Sequence, residues 1–368
     1  MKIVNVPLYP EMFTEKERVL VRNGVLYAKS FLFSSGVCGL KMGNESGELL
    51  ILPFQGQQIW RARFLGEDLT MRSMFDEPVP TEEYLKTYGG FLIHCGATAM
   101  GNPAKEDEHP QHGELPNRKY ENAYLTLGED DNGPYISLNG ETEYVVAFTC
   151  GYRAQPSIRL NAGESVFHAS MTLTNLRHDP LNYMYLCHIN FRPVNGSHLI
   201  YSAPATPDAI TVHQTDVAHL PPQQAAKLSE TIETYKKDPS AHHRVDPDQQ
   251  TYDPEIVMTI RFQADEAGFA HSLQQLPSGA AHYVAHRIKE LPLGLRWIAR
   301  TRDEDAMGLV LPATAEHFGL AYAQKHNQMK RLEGLSSVTM QMIVGYLEPE
   351  SANQVKSKIE RILAPVAP

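Results

Sequence analysis

The chain has 368 residues, of which 42% are hydrophobic and 21% are charged, and its 25 glycines and 25 prolines follow no period. This composition excludes a disordered chain, a collagen and a coiled coil. The net charge of −10 argues against a nucleic-acid partner, because binding a phosphate backbone requires a basic surface.

The cysteines and the N-terminal segment predict the compartment. The four cysteines form no Cys-x-x-Cys pair, so the sequence encodes neither a zinc ribbon nor a redox dithiol. Pro7, Pro10 and several charges interrupt the N-terminal segment before the apolar core of a signal peptide could form. No apolar run approaches the ~18 residues of a membrane span. We expect a soluble, cytoplasmic protein with no membrane partner.

Short β-rich segments punctuated by Gly, Asn and Pro dominate the chain. Strands are predicted at 18–21, 25–31, 49–53, 57–64 and 67–71, at 143–152, 157–160, 165–176 and 182–191, and at 256–262, 281–287, 295–300, 307–311 and 337–347. Many short strands with few helices between them favour a sandwich of antiparallel sheets. We therefore predict a mainly β chain that forms a single β-sandwich domain over 1–368.

Three helices are predicted. Thr81 could cap a short helix over 82–87, and 221–237 contains helix formers with a weak apolar stripe. The second helix would lie on the surface, within a polar insertion at 213–255. The last helix is predicted over 351–364, where Ser351 and Gln354 form a capping-box pattern and apolar residues follow at helical spacing.

Histidines among glycines are the first candidate site. No Walker A, dinucleotide-binding or G-x-S-x-G motif is present. In the stretch 88–120, two glycines follow Tyr88 directly, and three histidines come later, His94, His109 and His112. Glycines allow the backbone to approach a ligand closely, and Gly113 after His112 predicts an imidazole presented at a turn. The alternative is that these histidines are ordinary residues of a surface loop.

The segment YLCHINFR at 185–192 is the second candidate. Strand alternation places Leu186, His188 and Asn190 on one face, so an imidazole and a carboxamide share that face. The alternative is a hydrogen-bonded core histidine. Together with carboxylates at 106–108, His109, His112 and His188 could bind a metal, but their spacing is not that of ligands on one strand or helix turn. We expect no metal and no cofactor.

Several motifs occur in an order that resembles the galactose mutarotase-like (aldose 1-epimerase) superfamily, and in particular a bacterial aldose-epimerase-like branch. They are CG-x-x-x-x-G-N-P at 95–103, HG at 112–113 with a downstream Asn-Arg, HINF at 188–191 and G-L-x-x-P-A-T at 308–314. The resemblance runs from about residue 49 to residue 347. It implies a large antiparallel β-sandwich with a sugar in a cleft on one sheet, and metal-free ring opening by acid–base catalysis.

The resemblance also implies roles for single residues. His112 would bind the sugar beside its ring oxygen, and His188 would donate a proton to that oxygen. Arg118 or Arg61 could bind hydroxyls or an acidic substituent. Trp60 and Trp297 are candidates for stacking on a sugar face, and each could equally be a core residue.

The sequence departs from the family at one position. Relatives in this branch carry a glutamate, the expected base, immediately before the proline of the G-L-x-E-P-x-T stretch, where this chain has Leu311. A leucine cannot accept a proton. Glu316 follows five residues later, and three acidic residues, Asp303, Glu304 and Asp305, lie upstream. None of them matches the motif, and we take Glu316 as the substitute base.

Three functions follow from these residues. The first is an isomerase of the mutarotase type, acting on a monosaccharide or sugar derivative in carbohydrate metabolism. The second is a sugar-binding protein that has lost its base, which Leu311 favours. The third is a metal-dependent sugar isomerase that uses the histidines. Assembly as a homodimer stays open.

Overall fold

The computed structural model of the chain describes residues 3–246 and 251–364. Of the described chain, 46% is strand and 14% is helix, and two large antiparallel sheets contain all the described strands. The predicted mainly β sandwich is therefore confirmed. None of the described helices is long and apolar enough to cross a membrane.

The strands of the first half of the chain are β1 (Val4–Leu8), β2 (Arg18–Asn23), β3 (Leu26–Leu32), β4 (Cys38–Gly43), β5 (Gly47–Ile51), β6 (Ile59–Phe64), β7 (Glu67–Asp68), β8 (Leu92–Ala97), β9 (Asn122–Asp130), β10 (Gly133–Val146) and β11 (Cys150–Asn161). Those of the second half are β12 (Val166–Asn175), β13 (Leu181–Ile189), β14 (His198–Tyr201), β15 (Ile210–Val212), β16 (Ile256–Ile260), β17 (Phe269–Gln275), β18 (Ala281–Arg287), β19 (Leu293–Arg300), β20 (Asp305–Ala313), β21 (Lys330–Leu332) and β22 (Ser337–Leu347). The helices are α1 (Pro222–Lys237), α2 (Gly319–Lys325) and α3 (Pro349–Leu363), with short 3₁₀ helices at Pro10–Met12, Tyr84–Thr87 and Pro239–His242.

The two sheets have nine and thirteen strands. The nine-stranded sheet has the order β1-β9-β10-β11-β12-β22-β18-β17-β14. The larger sheet has the order β15-β16-β19-β20-β13-β8-β6-β5-β4-β3-β2, with β21 paired to β13 and β7 paired to β6. Each sheet combines strands from distant parts of the chain, so residues far apart in sequence meet on one face.

The main core lies between the sheets. Strand β12 alternates strictly between buried and half-buried residues, as the period of a strand with one covered face requires. Its Phe167 stacks on Phe64 of β6 in the opposite sheet, with ring centroids 6.4 Å apart, and contacts Phe91 edge-on at 6.3 Å. These aromatic contacts connect the two sheets.

Helix α3 covers the outer face of the nine-stranded sheet. Its Ala352 and Ile359 are buried in a second apolar cluster with Leu273 and Tyr283 of that sheet. The predicted capping box is wrong, because the helix begins at Pro349 after Glu348, and no side chain caps it. Proline has the φ angle of a first helical residue and needs no hydrogen-bond partner for its nitrogen.

The polar segment at 213–255 contains α1 and the 3₁₀ helix Pro239–His242, and its residues 247–250 lie outside the described ones. The prediction of a surface helix there is wrong in one respect. Leu228, Ile232 and Tyr235 are buried in the main core, at the spacing of one helix face.

Two strand predictions need correction. The segment 143–152 is not one strand, because the chain turns between Val146 and Cys150, where Phe148 has a φ of +65°. The break left between the predicted strands 143–152 and 157–160 lies inside β11, where the pairing with β10 is interrupted at Gln155 and Pro156 and a proline is tolerated. Strand β8 was not predicted at all, since its glycine-rich flanks indicated a loop.

Candidate active site

A cleft of about 640 Å³ opens on the outer face of the thirteen-stranded sheet. Adjacent strands form its floor, where Val257 of β16 pairs with Trp297 of β19, and Leu295 of β19 pairs with Leu311 of β20. Loops form its walls. The lining residues are Tyr84, Leu85, Tyr88, Asn102, Gln111, His112, Leu186, His188, Glu255, Val257, Leu295, Trp297, Leu311 and His317. Apolar and aromatic side chains with a few convergent polar groups are the usual lining of small-molecule sites.

His188 projects from β13 into this cleft, and a carboxamide fixes its ring. Its Nδ1 lies 2.7 Å from Oδ1 of Asn190, and Nδ2 of Asn190 donates to the carbonyl oxygen of Gly90 at 2.9 Å. Because the amide donates to Gly90, its oxygen faces His188, so Nδ1 of the imidazole carries the proton and Nε2 has the free lone pair. Burial lowers the pKa of His188 to about 4, although the contact with Asn190 opposes that shift. The ring is neutral at pH 7.

His112 lies opposite, on the predicted turn. Its φ is +61°, and its backbone is held by hydrogen bonds from its own N–H to Gly101 and from the N–H of Gly96 to its carbonyl oxygen, at 2.9 and 2.7 Å. The ring centroids of His112 and His188 are 5.5 Å apart. Burial lowers the pKa of His112 well below its usual value. Its Nδ1 is buried without a partner among the described residues, so Nε2 is the nitrogen left for a ligand.

Aromatic rings surround the two imidazoles. The ring of Tyr84 lies 4.8 Å from that of His112, and the ring of Tyr88 lies 5.9 Å from that of His188. Trp297 approaches His188 edge-on, with centroids 5.4 Å apart. These rings exclude water from one side of the imidazoles, which is the physical cause of the lowered pKa values.

A carboxylate that the sequence analysis missed also lines the cleft. Glu255 stands immediately before β16, and its Oε2 accepts a hydrogen bond of 2.5 Å from the indole N–H of Trp297. Its strand pairs with β19, which brings this carboxylate to the cleft. The sequence feature that could have identified Glu255 as a site residue is its position immediately before a predicted strand. The expected base position, Leu311, forms part of the apolar floor.

His317 is a third imidazole in the cleft and was also missed. Burial lowers its pKa to about 4, and its Nδ1 has no partner among the described residues. Its carbonyl oxygen accepts a hydrogen bond from the N–H of Asn102, and a Cβ at Gly101 would lie only 2.3 Å from the same oxygen. Its position three residues after the G-L-x-x-P-A-T motif was the signal.

Glu316 does not line the cleft. Its Oε2 accepts hydrogen bonds from the hydroxyl of Tyr322 and from Nε2 of Gln328, both at 2.9 Å, and its side chain is buried. Burial alone would raise the pKa of Glu316, but the hydrogen bonds from Gln328, Tyr322 and Thr259 outweigh it and lower the pKa. The structure thus places this carboxylate in a network behind His317.

Four of the residues predicted to bind substrate lie outside the lining. One of them is Asn190, which is fully buried behind His188. Trp60 is fully buried in a separate apolar cluster with Val37 and Leu52. Arg61 donates to the carbonyl oxygens of Trp60 and Gly89, at 2.8 and 2.7 Å. Arg118 lies in a neighbouring depression, where its guanidinium donates to side-chain and backbone oxygens of β10.

His109 and His94 are not in the cleft either. His109 contacts Asp107, whose carboxylate accepts hydrogen bonds from the N–H groups of Leu320 and Ala321 at the start of α2. His94 bonds through Nδ1 to the hydroxyl of Tyr185, at 2.7 Å. Within residues 3–246 and 251–364, no three His, Cys, Asp or Glu side chains are arranged to bind a metal ion.

Solved structures with this fold are known. A candidate aldose 1-epimerase of Klebsiella pneumoniae is 16% identical, with a TM-score of 0.80 over 99% of this chain and 96% of that chain. A galactose mutarotase-like protein of Clostridium acetobutylicum is 11% identical, with a TM-score of 0.56 over 88% and 99% of the two chains. A candidate aldose 1-epimerase of Escherichia coli is 12% identical, with a TM-score of 0.51 over 82% and 96%.

At these identities the likeness establishes the fold, and the predicted resemblance to the galactose mutarotase-like superfamily is confirmed at that level. No curated protein sequence matches the chain. Residues 34–345 match the family model described as a domain of unknown function, DUF4432, and the chain belongs to that family.

Proposed function

We propose that the chain is a sugar isomerase of the mutarotase type, which interconverts the α and β anomers of a free sugar by opening its ring. The observation that carries this proposal is the meeting of two neutral imidazoles, His112 and His188, with one carboxylate, Glu255, in a single cleft. Aromatic rings beside them suit the apolar faces of a pyranose, which makes a sugar a better occupant than an extended peptide or a nucleotide.

His188 moves the proton in this mechanism. Its Nε2 takes the proton from the anomeric hydroxyl O1 while the C1–O5 bond breaks and the C1–O1 bond becomes a carbonyl. The same nitrogen then gives the proton to the O5 alkoxide, which was bonded to C1 before the ring opened and so lies within reach of Nε2. Rotation about C1–C2 and the reverse reaction close the ring on the other face. No proton is gained or lost, so Leu311 need not be a base.

The other polar residues support that transfer. Oδ1 of Asn190 accepts a hydrogen bond from Nδ1–H of His188 and so keeps the lone pair of Nε2 available. Glu255 accepts a hydrogen bond from the indole N–H of Trp297 and so fixes the ring that packs edge-on against His188. His112 donates from Nε2 to the ring oxygen and holds the sugar in place.

Exchange between anomers, measured by NMR on a panel of free sugars, tests the proposal. We expect His188→Gln to lower the enzyme-catalysed rate at least ~100-fold, the size of a general acid–base contribution. Glu255→Gln should lower the enzyme-catalysed rate by a smaller factor than His188→Gln does. His168→Gln is the matched control, because His168 is a partly exposed histidine on the other sheet, and it should leave the rate unchanged.

A second function is favoured by Leu311 on the floor of the cleft. A sugar-binding protein without catalysis would bind a sugar in calorimetry and show no exchange above the rate in buffer. That result would replace the isomerase with the binding protein. Exchange that persists in His188→Gln would contradict the mechanism.

A further inference from the structure

Two open depressions continue from the candidate active site. The first, of about 860 Å³, shares the walls Tyr84 and Gln111 with the cleft. The second, of about 870 Å³, shares Arg118 with the first. We call the two together the rim groove. Because neighbouring depressions share side chains, the rim groove adjoins the cleft on the surface, and we call this row of three depressions the channel.

Arg118 is held at the junction of the two depressions. Its Nε donates to the hydroxyl of Thr142 at 3.3 Å, and Nη2 donates to the carbonyl oxygen of Glu143. The guanidinium also lies over the ring of Tyr144, 5.4 Å from its centroid. Its Nη1 has no partner in the part of the chain that the structure describes. A fixed guanidinium with one free N–H group, beside a tyrosine ring, offers hydrogen bonds and a flat surface to a polar ligand.

The charge of the rim groove restricts that ligand. Glu82, Glu83 and Glu114 line the first depression with Arg118. Glu121, Glu141 and Glu143 line the second with Arg118 and Lys119. Carboxylates thus outnumber cations in both, and the cleft itself contains Glu255 and no Lys or Arg among its described lining residues. Lys86 pairs with Glu83, and Arg153 pairs with Glu141 and Glu143, so part of this negative charge is neutralised. The rim groove therefore offers hydroxyl groups many acceptors and offers an anionic ligand no surplus of positive charge.

From this channel we infer that the substrate is the reducing end of an uncharged oligosaccharide. This inference rests on the proposed function. The reducing-end ring, which alone has a free anomeric hydroxyl, occupies the cleft beside His188. The next sugar lies in the rim groove against Arg118 and Tyr144. A single monosaccharide would leave the rim groove empty and gain nothing from it.

Anomer exchange on matched sugars tests the inference. We compare glucose with maltose and cellobiose, and galactose with lactose, and we include glucuronate-terminated disaccharides. The value of kcat/KM for at least one neutral disaccharide should exceed that for its reducing monosaccharide about tenfold, as expected for one or two additional hydrogen bonds. The acidic disaccharides should react more slowly than the neutral ones.

Two substitutions test whether Arg118 and Tyr144 cause the preference for disaccharides. Arg118→Ala and Tyr144→Ala should each reduce the ratio of disaccharide to monosaccharide kcat/KM to near one. Arg331→Ala removes an exposed arginine of β21 that lines neither the cleft nor the rim groove, and it should preserve the ratio. Circular dichroism and thermal unfolding show whether each variant is folded, and Tyr144→Phe, which keeps the ring, provides a milder second change.

The outcomes separate the two proposals. Exchange of monosaccharides with no preference for any disaccharide overturns the inference and leaves the proposed function standing. A preference for disaccharides that survives Arg118→Ala and Tyr144→Ala overturns the rim groove as the cause. A preference for acidic disaccharides also contradicts the inference. Absence of exchange for every sugar overturns the proposed function itself.

Discussion

His188 illustrates how one neighbour determines the chemistry of a side chain. Asn190, two residues further along the chain, accepts a hydrogen bond from Nδ1–H and leaves Nε2 as an acceptor. Burial lowers the pKa of the imidazole to about 4, so it begins each cycle without an extra proton. A histidine in this state takes the first proton from the sugar. The family resemblance assigned it the opposite first step, donation.

Asn190→Asp tests this assignment. A carboxylate at 2.7 Å from Nδ1 would stabilise the imidazolium and raise the pKa of His188. Since the active ring is neutral, activity is lost as pH falls through that pKa. The acid limb of the pH–rate profile should therefore move upward by about 1–3 pH units, while Asn190→Gln should leave it near the wild-type position. A loss of rate with no movement of the acid limb would contradict the role given to His188.

At the scale of elements, the alternation of side chains along β13 was sufficient to predict which of its residues face the cleft. The pattern YLCHINFR assigned Leu186, His188 and Asn190 to one face, and Leu186 and His188 line the cleft. The glycines of β8 led to the wrong prediction of a loop in place of a strand. The residues from Leu92 to Ala97 are all buried, and glycine there serves close contact between backbones, as Gly96 does against Met184. Sequence alone does not distinguish this use of glycine from a loop.

The turn that presents His112 depends on Gly113. Its φ is +79°, and an added Cβ would lie 2.2 Å from the carbonyl oxygen of Ala99, which has no room to move. Gly113→Ala should therefore displace His112 and lower the exchange rate at least ~10-fold, since small misplacements of catalytic groups are costly. NMR exchange and urea unfolding measure the two effects.

Gly133 provides the matched control for that substitution. Its φ is +91°, but nothing lies within 4 Å of an added Cβ. Gly133→Ala should therefore cost only the ~1–2 kcal/mol of a left-handed conformation and leave the exchange rate unchanged. Equal exchange rates in the two variants would show that the turn does not position His112.

The positions of two site residues depend on the fold of the whole molecule and could not be predicted from local sequence patterns. Glu255 reaches the cleft because β16 pairs with β15 and β19, although 42 residues separate it from the end of β15 and no motif contains it. Arg118 belongs to a matching motif, yet it lies one depression away from the imidazoles. Both outcomes depend on the order of strands in the sheet, and strand order across a long insertion is not encoded in any short segment.

Buried histidines also make the stability of the whole chain depend on pH. Burial lowers the pKa of His94 and His188 to about 4, and that of His282 and His286 to about 3, from 6.5. Below pH 6.5 the unfolded chain binds protons that the folded chain does not. The contribution of these residues to stability is therefore complete above pH 6.5 and is lost as pH falls towards 4 and 3.

At pH 5 each of the four residues should cost roughly 2 kcal/mol relative to pH 8, so together they consume much of a typical folding free energy. Urea unfolding at several pH values should show a steep loss of stability between pH 6.5 and pH 4. His286→Leu tests the cause, because both ring nitrogens of His286 are buried without a partner among the described residues and the ring packs against Phe262. Removing them should leave the protein at least as stable at pH 8 and more stable by roughly 2 kcal/mol at pH 5. An identical pH dependence in the variant and the wild type would show that His286 is not among the groups that destabilise the acid form.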